Sequence, residues 1–378
     1  MDSLRPNAVG PPAPKRQRRI LVAYNHTELS ALAEAPEPAD DSVRELTALI
    51  AAQGFDVFAV NAEDDCDRLG DAVVLYKPDL ILNLIDHFHG QTLLAGAAAS
   101  LLDIFEFPYT GGDEHCIGGC HDRLRSRLIL SSADVRVPAF VPLWTPTAAA
   151  DLAVDLTALE YPVILTQSFD DIYHRPYERP LLANADELRA FTAEVLVDYE
   201  PPFLIEEYVG HQKMSVIVID NQQALAPCEV WRDEDDEWQV GLADLTPEQA
   251  EYIRAVALEA SSAMACRDWS QVEIAINSAG TVYVTDVRPN VTPWNPDSPF
   301  RVAAADHEDG ASGVLAQVIA SGLRRAERQA KIEADLLAEL TDAPNDEAPA
   351  ETSEHEAPEA PAAETSSGPT EADPPISS

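Results

Sequence analysis

Short apolar runs alternate with amphipathic stretches through the first part of the chain. Residues 20–24 form an apolar run, residues 42–53 carry apolar positions at helical spacing and stop at Gly54, and residues 56–60 read as strand again. Residues 79–84 (DLILNL) follow Pro78, and an Ala/Leu-rich helix is predicted over about residues 91–105. This strand–helix–strand rhythm predicts a parallel sheet with helices on its faces, in an open α/β layer.

A second, strand-rich block follows at residues 161–165 (YPVIL), 203–209 (FLIEEYV) and 214–220 (MSVIVID). A helix is predicted over about residues 247–265. After it, residues 271–277 (QVEIAIN) pair with residues 281–287 (TVYVTDV) as a hairpin turning through Ser278, Ala279 and Gly280. One last helix spans roughly residues 310–340. The two ends differ from this body. Residues 1–19 combine four prolines with KRQRR and read as a flexible basic arm. Residues 341–378 hold seven prolines, ten acids and almost nothing large and apolar, so they are expected to be disordered.

Composition sharpens this division. The chain has 378 residues, 25 Lys+Arg against 66 Asp+Glu and a formal net charge of -41, yet 46% of it is hydrophobic, as in a folded soluble protein. The arm carries +4 and the tail -10, which leaves about -35 on residues 20–340. A body this negative repels phosphate backbones and anionic lipid heads, so neither nucleic acid nor a membrane surface is an expected partner. Small molecules, cations and proteins remain. Five scattered cysteines do not make a disulfide framework, and no stretch approaches 18 apolar residues, so a reducing cytoplasm is expected.

The segments NLIDHFHG, SLLDIFEFPYTGGDEHCIGGCHDRLRSRLIL, LEYPVIL, ELRAF, FLIEEYVG and VYVTDVRPNVTP, in this order and spacing, resemble the D-alanine:D-alanine ligase branch of the ATP-grasp superfamily. The resemblance covers roughly residues 20–330. It implies an N-terminal parallel α/β domain (20–112), a central ATP-grasp lobe (113–205) and a C-terminal ATP-grasp lobe (206–340); the acidic tail (341–378) lies beyond them. It also implies ATP and Mg2+ as cofactors, an amino acid or small peptide-like carboxylate as substrate, a homodimer, and a reaction in which a carboxylate is activated as an acyl phosphate and attacked by an amine. Such chemistry must gather several phosphates and a carboxylate against their mutual repulsion.

Mapped residue by residue, the resemblance assigns Glu273 and Asp286 as the acidic metal ligands of the hairpin, with Arg288 where a metal-binding Asn is expected. A guanidinium cannot ligate a metal; it supplies a positive charge in that metal's place. The two phosphate-binding lysines correspond to Arg123 and Thr166, and the Gly/Ser-rich phosphate loop to the glycine-free SFDDIYHRP (168–176). Adenine is expected on the backbone of Glu206, Glu207, Tyr208 and Val209, and the ribose contact corresponds to Lys213. The arginine that stabilises the tetrahedral oxyanion corresponds to Gln271, a loss of about 3 kcal/mol if the donor counts in full. Ser298 and Arg301 stand near the second amino acid, and Asp40 or Asp41 could orient the first one's amine. Departures concentrated on one reaction leave two readings: a ligase of impaired or altered activity, or an inactive homologue that serves as a binding or scaffold protein.

The stretch His115-Cys116 and Cys120-His121 also admits two readings. Four soft ligands at this spacing suit zinc. Alternatively, the segment is a plain connection with a tight turn at Gly118-Gly119. Cys228 and Cys266 read as core residues.

Overall fold

The computed structural model describes residues 16–25, 40–62, 65–145, 156–157, 159–169, 180–210, 212–233, 237–291, 293, 295 and 297–342. The first apolar run becomes β1 (Arg19–Tyr24), flanked in parallel by β2 (Asp56–Asn61) and β3 (Leu80–Leu84) in the order β2-β1-β3. β3 is buried on both faces and β1 nearly so, which is why these segments read as continuous apolar runs rather than alternations. One face packs on α1 (Asp40–Ala51), whose Val43, Leu46 and Ile50 sit at helical spacing in the core. Truncating Leu46, which is fully buried, to Ala should cost about 2–5 kcal/mol. The other face meets α2 (Cys66–Tyr76) and α3 (Ala95–Ile104). The helix predicted from residue 91 starts later, because residues 92–94 form a 3-10 turn.

Two short helices follow, α4 (Glu114–His121) and α5 (Arg123–Ser132), hinged at Asp122. The segment read as a plain connection is therefore helical, and Gly118 and Gly119 lie within α4 rather than in a turn. Next come β4 (Phe140–Leu143), β5 (Val163–Gln167), α6 (Ala185–Val195) and β6 (Phe203–Glu207), which make an antiparallel sheet in the order β4-β6-β5. Asn184 caps α6 by accepting from the backbones of Asp186 and Glu187, and α6 buries Leu188 and Val195 against this sheet.

The largest sheet contains β7 (Gln212–Ile219), β8 (Gln223–Ala224), β9 (Cys228–Arg232), β10 (Trp238–Leu242), β11 (Trp269–Ile276) and β12 (Val282–Arg288). Its order is β10-β9-β7-β11-β12, with β8 pairing β7. α7 (Pro247–Ala263) starts with a capping box between Thr246 and Gln249 and covers one face through Ile253, Ala257 and Ala260. α8 (Pro299–Asp306) and α9 (Gly310–Asp342) close the chain's described part. Val314, Leu315, Val318 and Ile319 of α9 share a core with β1, β3 and α1.

The chain divides into two compact units, Met1–Ala330 and Lys331–Ser378; of the second, only the end of α9 is described. The expected acidic tail lies outside the described residues from residue 343 on, and the expected basic arm up to residue 15. From Arg16 the chain is tied down: Arg16 forks onto Asp79 at 2.9 Å through both carboxylate oxygens, and Arg18 pairs with Glu327.

Within the first unit, buried Asp268 joins three segments. It accepts from the Gly111 backbone (3.0 Å), the Ser321 hydroxyl (2.8 Å) and the Arg325 guanidinium (2.7 Å). The PYTG loop, the entry to β11 and α9 are thereby held together. Gly111 is required there: its φ is +90°, and a Cβ would lie 2.4 Å from the Asn290 Oδ1.

Candidate functional site

The start of α5 is fixed to the end of β5 by a reciprocal set of bonds around Asp122 and Ser168. Ser168 Oγ donates to Asp122 Oδ1 (2.6 Å), accepts from the Leu124 backbone (3.2 Å), and the Ser168 carbonyl accepts from the Arg123 backbone (2.9 Å). Asp122 also caps α5. Arg123 thus stands at a defined place, at the end of the strand that carries Thr166, with Nη1 3.3 Å from the Gln167 carbonyl.

Across from it, β11 and β12 pair in a register that sets Glu273 directly opposite Asp286. The ladder then shifts, leaving Thr285 as the extra residue of a bulge. The Thr285 carbonyl accepts from Arg127 Nη2 at 2.6 Å, and Arg127 Nε makes a buried ion pair with Glu206 at 2.6 Å. Glu273 Oε1 accepts from Gln271 Nε2 (2.6 Å) and from Ser215 Oγ (3.3 Å). Arg288 Nε lies 3.4 Å from Asp286 Oδ2.

These elements enclose a cleft of about 540 Å3. Arg123 and Thr166 line it from one side; Glu206, Glu207, Tyr208 and Val209 from the end of β6; Lys213, Gln271, Glu273, Asp286 and Arg288 from the large sheet. The residues expected to meet nucleotide and metal are thus brought together, and Gln271 with them. Ile164 and Ile274 contribute apolar walls from the two facing sheets. The segment expected to offer its backbone to adenine is partly committed already: the Glu207 and Tyr208 N–H groups donate to the carbonyls of Ala139 and Pro162. Glu207 also accepts from the Glu160 backbone at 2.7 Å.

Ser298 and Arg301 do not join the cleft's lining. Ser298 caps α8 by accepting from the Arg301 backbone, and the Arg301 guanidinium pairs with Glu45 of α1. Asp41 pairs with Arg44 on the exposed side of α1, and nothing of the Asp40 side chain is described. Of the glycine-free loop, residues 170–176, including Asp170, Asp171, His174 and Arg175, lie outside the described residues.

Three features of the cleft escape sequence reasoning. Arg127, one helical turn after Arg123, adds a cation, so Arg123, Arg127, Lys213 and Arg288 balance Glu206, Glu207, Glu273 and Asp286. A charge-neutral lining inside a strongly acidic body is a relatively favourable place for an anion. Its signal was the i, i+4 spacing on α5. Trp238 lines the mouth, with the cations of Lys213 and Arg232 5.5 and 4.6 Å from its ring centre. Third, Arg127 Nη1 and Thr166 Oγ1 are buried on the cleft wall with no hydrogen-bond partner. Orphaned polar atoms on a cavity wall suit a polar ligand.

A smaller cavity of about 210 Å3 adjoins, sharing Arg123, Asp286 and Arg288 with the cleft and adding Asp86, His87, Cys120, His121 and Asn290. His87 is buried, and its Nδ1 has no partner. Asn25 shapes this corner by donating to the His87 carbonyl at 2.7 Å. In the PYTG loop, burial pushes the Tyr109 hydroxyl up to about 12, partly offset by the Arg267 guanidinium, while the hydroxyl donates to Asp103 at 2.8 Å. Burial likewise pushes the Cys228 thiol up to about 12.

The donor set decides which groups fit. The polar wall, the apolar sides and the four cations suit a nucleotide. Two facing carboxylates suit one divalent cation, with Arg288 supplying charge where a second would sit.

No family model matches the chain. It is 24% identical over 251 residues to the D-alanine–D-alanine ligase of Xanthomonas axonopodis pv. citri, an alignment covering 63% of this chain and 76% of that protein. Among solved structures, the D-alanine–D-alanine ligase of Bacillus anthracis complexed with ATP superposes with a TM-score of 0.64 at 17% identity, covering 83% of this chain and 99% of that one. The ligase of Coxiella burnetii gives 0.64 at 13% identity, over 86% and 99%. Among the described residues no helix is long and apolar enough to cross a membrane. In sequence the chain is similar to D-alanine–D-alanine ligases, and it shares the fold of their solved structures.

Proposed function

We propose that the protein binds a nucleotide in the 540 Å3 cleft together with one divalent cation, and that its ATP-dependent carboxylate–amine ligation is impaired relative to the ligases it resembles. One observation carries the reading. The acidic hairpin that would hold the metals is engaged by the chain's own side chains, Asp286 by Arg288 and Glu273 by Gln271.

Under this reading Glu273 and Asp286 hold the cation, which when bound supplies charge neutralisation for a phosphate chain. Arg123 and Arg288 orient phosphate oxygens, and the Ile164 and Ile274 walls exclude water from the base. The substrate carboxylate would enter through the smaller cavity, where buried His87 Nδ1 has no partner and, in the tautomer protonated there, donates to an anion. Gln271 is a neutral donor already turned to Glu273, so the oxyanion of the amine's attack lacks a cation from that position.

Titration calorimetry with ATP, with and without Mg2+, tests the binding half. Micromolar binding that weakens at least tenfold in Glu273→Gln supports it, and absence of heat and of thermal shift sinks it. ADP release in the presence of D-alanine tests the other half: turnover at the rate of an active ligase measured alongside contradicts impairment. The engaged hairpin also favours a second reading, a non-catalytic binding or scaffold protein. Nucleotide binding with no ADP release under any amino acid supports that second reading over the first.

A further inference from the structure

The cysteine motif of α4 finds its third member 150 residues away. Cys116 and Cys120, one turn apart on α4, converge on Cys266, which lies between the end of α7 and the start of β11. The three sulfurs lie within 4.8 Å of one another, all three residues are buried, and none is in a disulfide. Cys116 Sγ and Cys266 Sγ are 3.8 Å apart. A disulfide would need about 2.05 Å, whereas thiolates sharing one ion at about 2.3 Å stand roughly 4 Å apart. His115, which flanks the motif in sequence, does not join the three sulfurs: its side chain is 89% exposed and pairs with Glu114.

The surroundings are shaped around these sulfurs. Gly112 faces Cys116 Sγ so closely that a Cβ would come within 2.8 Å of it. Cys120 lines the 210 Å3 cavity, which gives the cluster a path to solvent. Isolated buried cysteines serve as small apolar residues. Three converging from two separate segments make a donor set, and all-sulfur donors select soft ions such as Cu(I) and Zn(II) over Mg2+.

We propose that Cys116, Cys120 and Cys266 bind a single thiophilic metal ion, Cu(I) or Zn(II), in a buried site that fastens α4 to the α7–β11 junction. Three sulfurs complete the coordination of Cu(I). Zn(II) would add a water from the cavity beside Cys120. The site lies outside the nucleotide cleft and does not depend on the reading given for it.

The test uses the full chain, purified anaerobically under reductant, stripped by a chelator, loaded with Zn(II) or Cu(I), and passed over a desalting column. About one ion retained per chain is expected, with metal-edge X-ray absorption reporting three sulfur neighbours at about 2.3 Å. An added oxygen neighbour identifies the zinc form, and three sulfurs alone the copper form. Cys116→Ser and Cys120→Ser should each lower affinity at least tenfold, while the double variant Cys66→Ser with Cys228→Ser keeps it. Retention below a tenth of an equivalent for both metals overturns the proposal, as does a bound ion without sulfur neighbours. The absorption measurement needs no variant, so it stands even where a serine variant fails to fold.

Discussion

Arg288 follows Asp286 by two residues on β12, and its Nε stands 3.4 Å from the Asp286 carboxylate on the face that Glu273 shares. The side chain thus places a fixed positive charge beside the acidic pair. A guanidinium and a second divalent cation would compete for the same space and charge. With a non-hydrolysable ATP analogue present, Mn2+ titration followed by electron paramagnetic resonance should count one ion per chain. Arg288→Asn should raise the count to two. Two ions in the unaltered protein, or one in the variant, would contradict the substitution of charge for metal.

Arg127 and Glu206 form a different kind of pair, with side chains 4% and 5% exposed. Desolvating both charges offsets much of their attraction, but removing one partner leaves the other buried and alone. Arg127→Met should therefore lower unfolding free energy by about 3–5 kcal/mol, read by urea denaturation. Arg127→Met combined with Glu206→Leu should recover more than half of that loss. The remainder reflects the Thr285 carbonyl, which loses its donor at a cost of about 1–3 kcal/mol. A double variant as unstable as the single one would show that the pair itself, rather than the orphaned charge, holds the fold.

Much of this architecture is legible in residue patterns. Continuous apolar runs announced β1 and β3, and the 3.6-residue spacing of Val43, Leu46 and Ile50 announced α1. The two strands of the acidic hairpin were legible as alternating segments, whereas the bulge at Thr285 that sets Glu273 opposite Asp286 was not. What stayed hidden depends on contacts distant in sequence. α4 was missed because two glycines interrupt its pattern, and it is stabilised by the Asp113 cap and by burial of Cys116, Ile117 and Cys120. Arg301 lies beside the expected substrate segment in sequence, yet Glu45 on α1 takes its charge. Cys266 reads as an ordinary core residue until the fold sets it against α4.

Cysteine reactivity offers a check that leaves the site untouched. Cys66 is exposed, although partial burial and the neighbouring Asp65 and Asp67 raise its thiol. Cys228 is fully buried, and at about 12 its thiolate fraction at pH 8 is on the order of 0.01%. Iodoacetamide at pH 8 should thus modify Cys66 alone in the native chain, with the other four cysteines reacting only after denaturation. Peptide mass spectrometry reads the outcome. Labelling of Cys228 at a rate near that of Cys66 would mean that β9 opens far more readily than its packing implies.

Tyr109 makes the alkaline limit of stability predictable. Its ring is buried, its hydroxyl donates to Asp103 and accepts from Arg267 Nη2 at 3.1 Å, and its pKa is pushed from 10 up to about 12. A raised pKa in the folded state means that the folded chain keeps this proton where the unfolded chain has released it. Stability from this residue is therefore intact below about pH 10 and declines as pH rises from 10 to 12, by up to about 1.4 kcal/mol per pH unit. Tyr109→Phe removes both hydrogen bonds and should lower stability at pH 8 by about 1–3 kcal/mol. The same variant has no proton to lose, so its stability should fall less steeply between pH 10 and 12. Urea unfolding across pH 8 to 12 for both proteins measures the two slopes, and equal slopes would assign the alkaline loss to groups other than Tyr109.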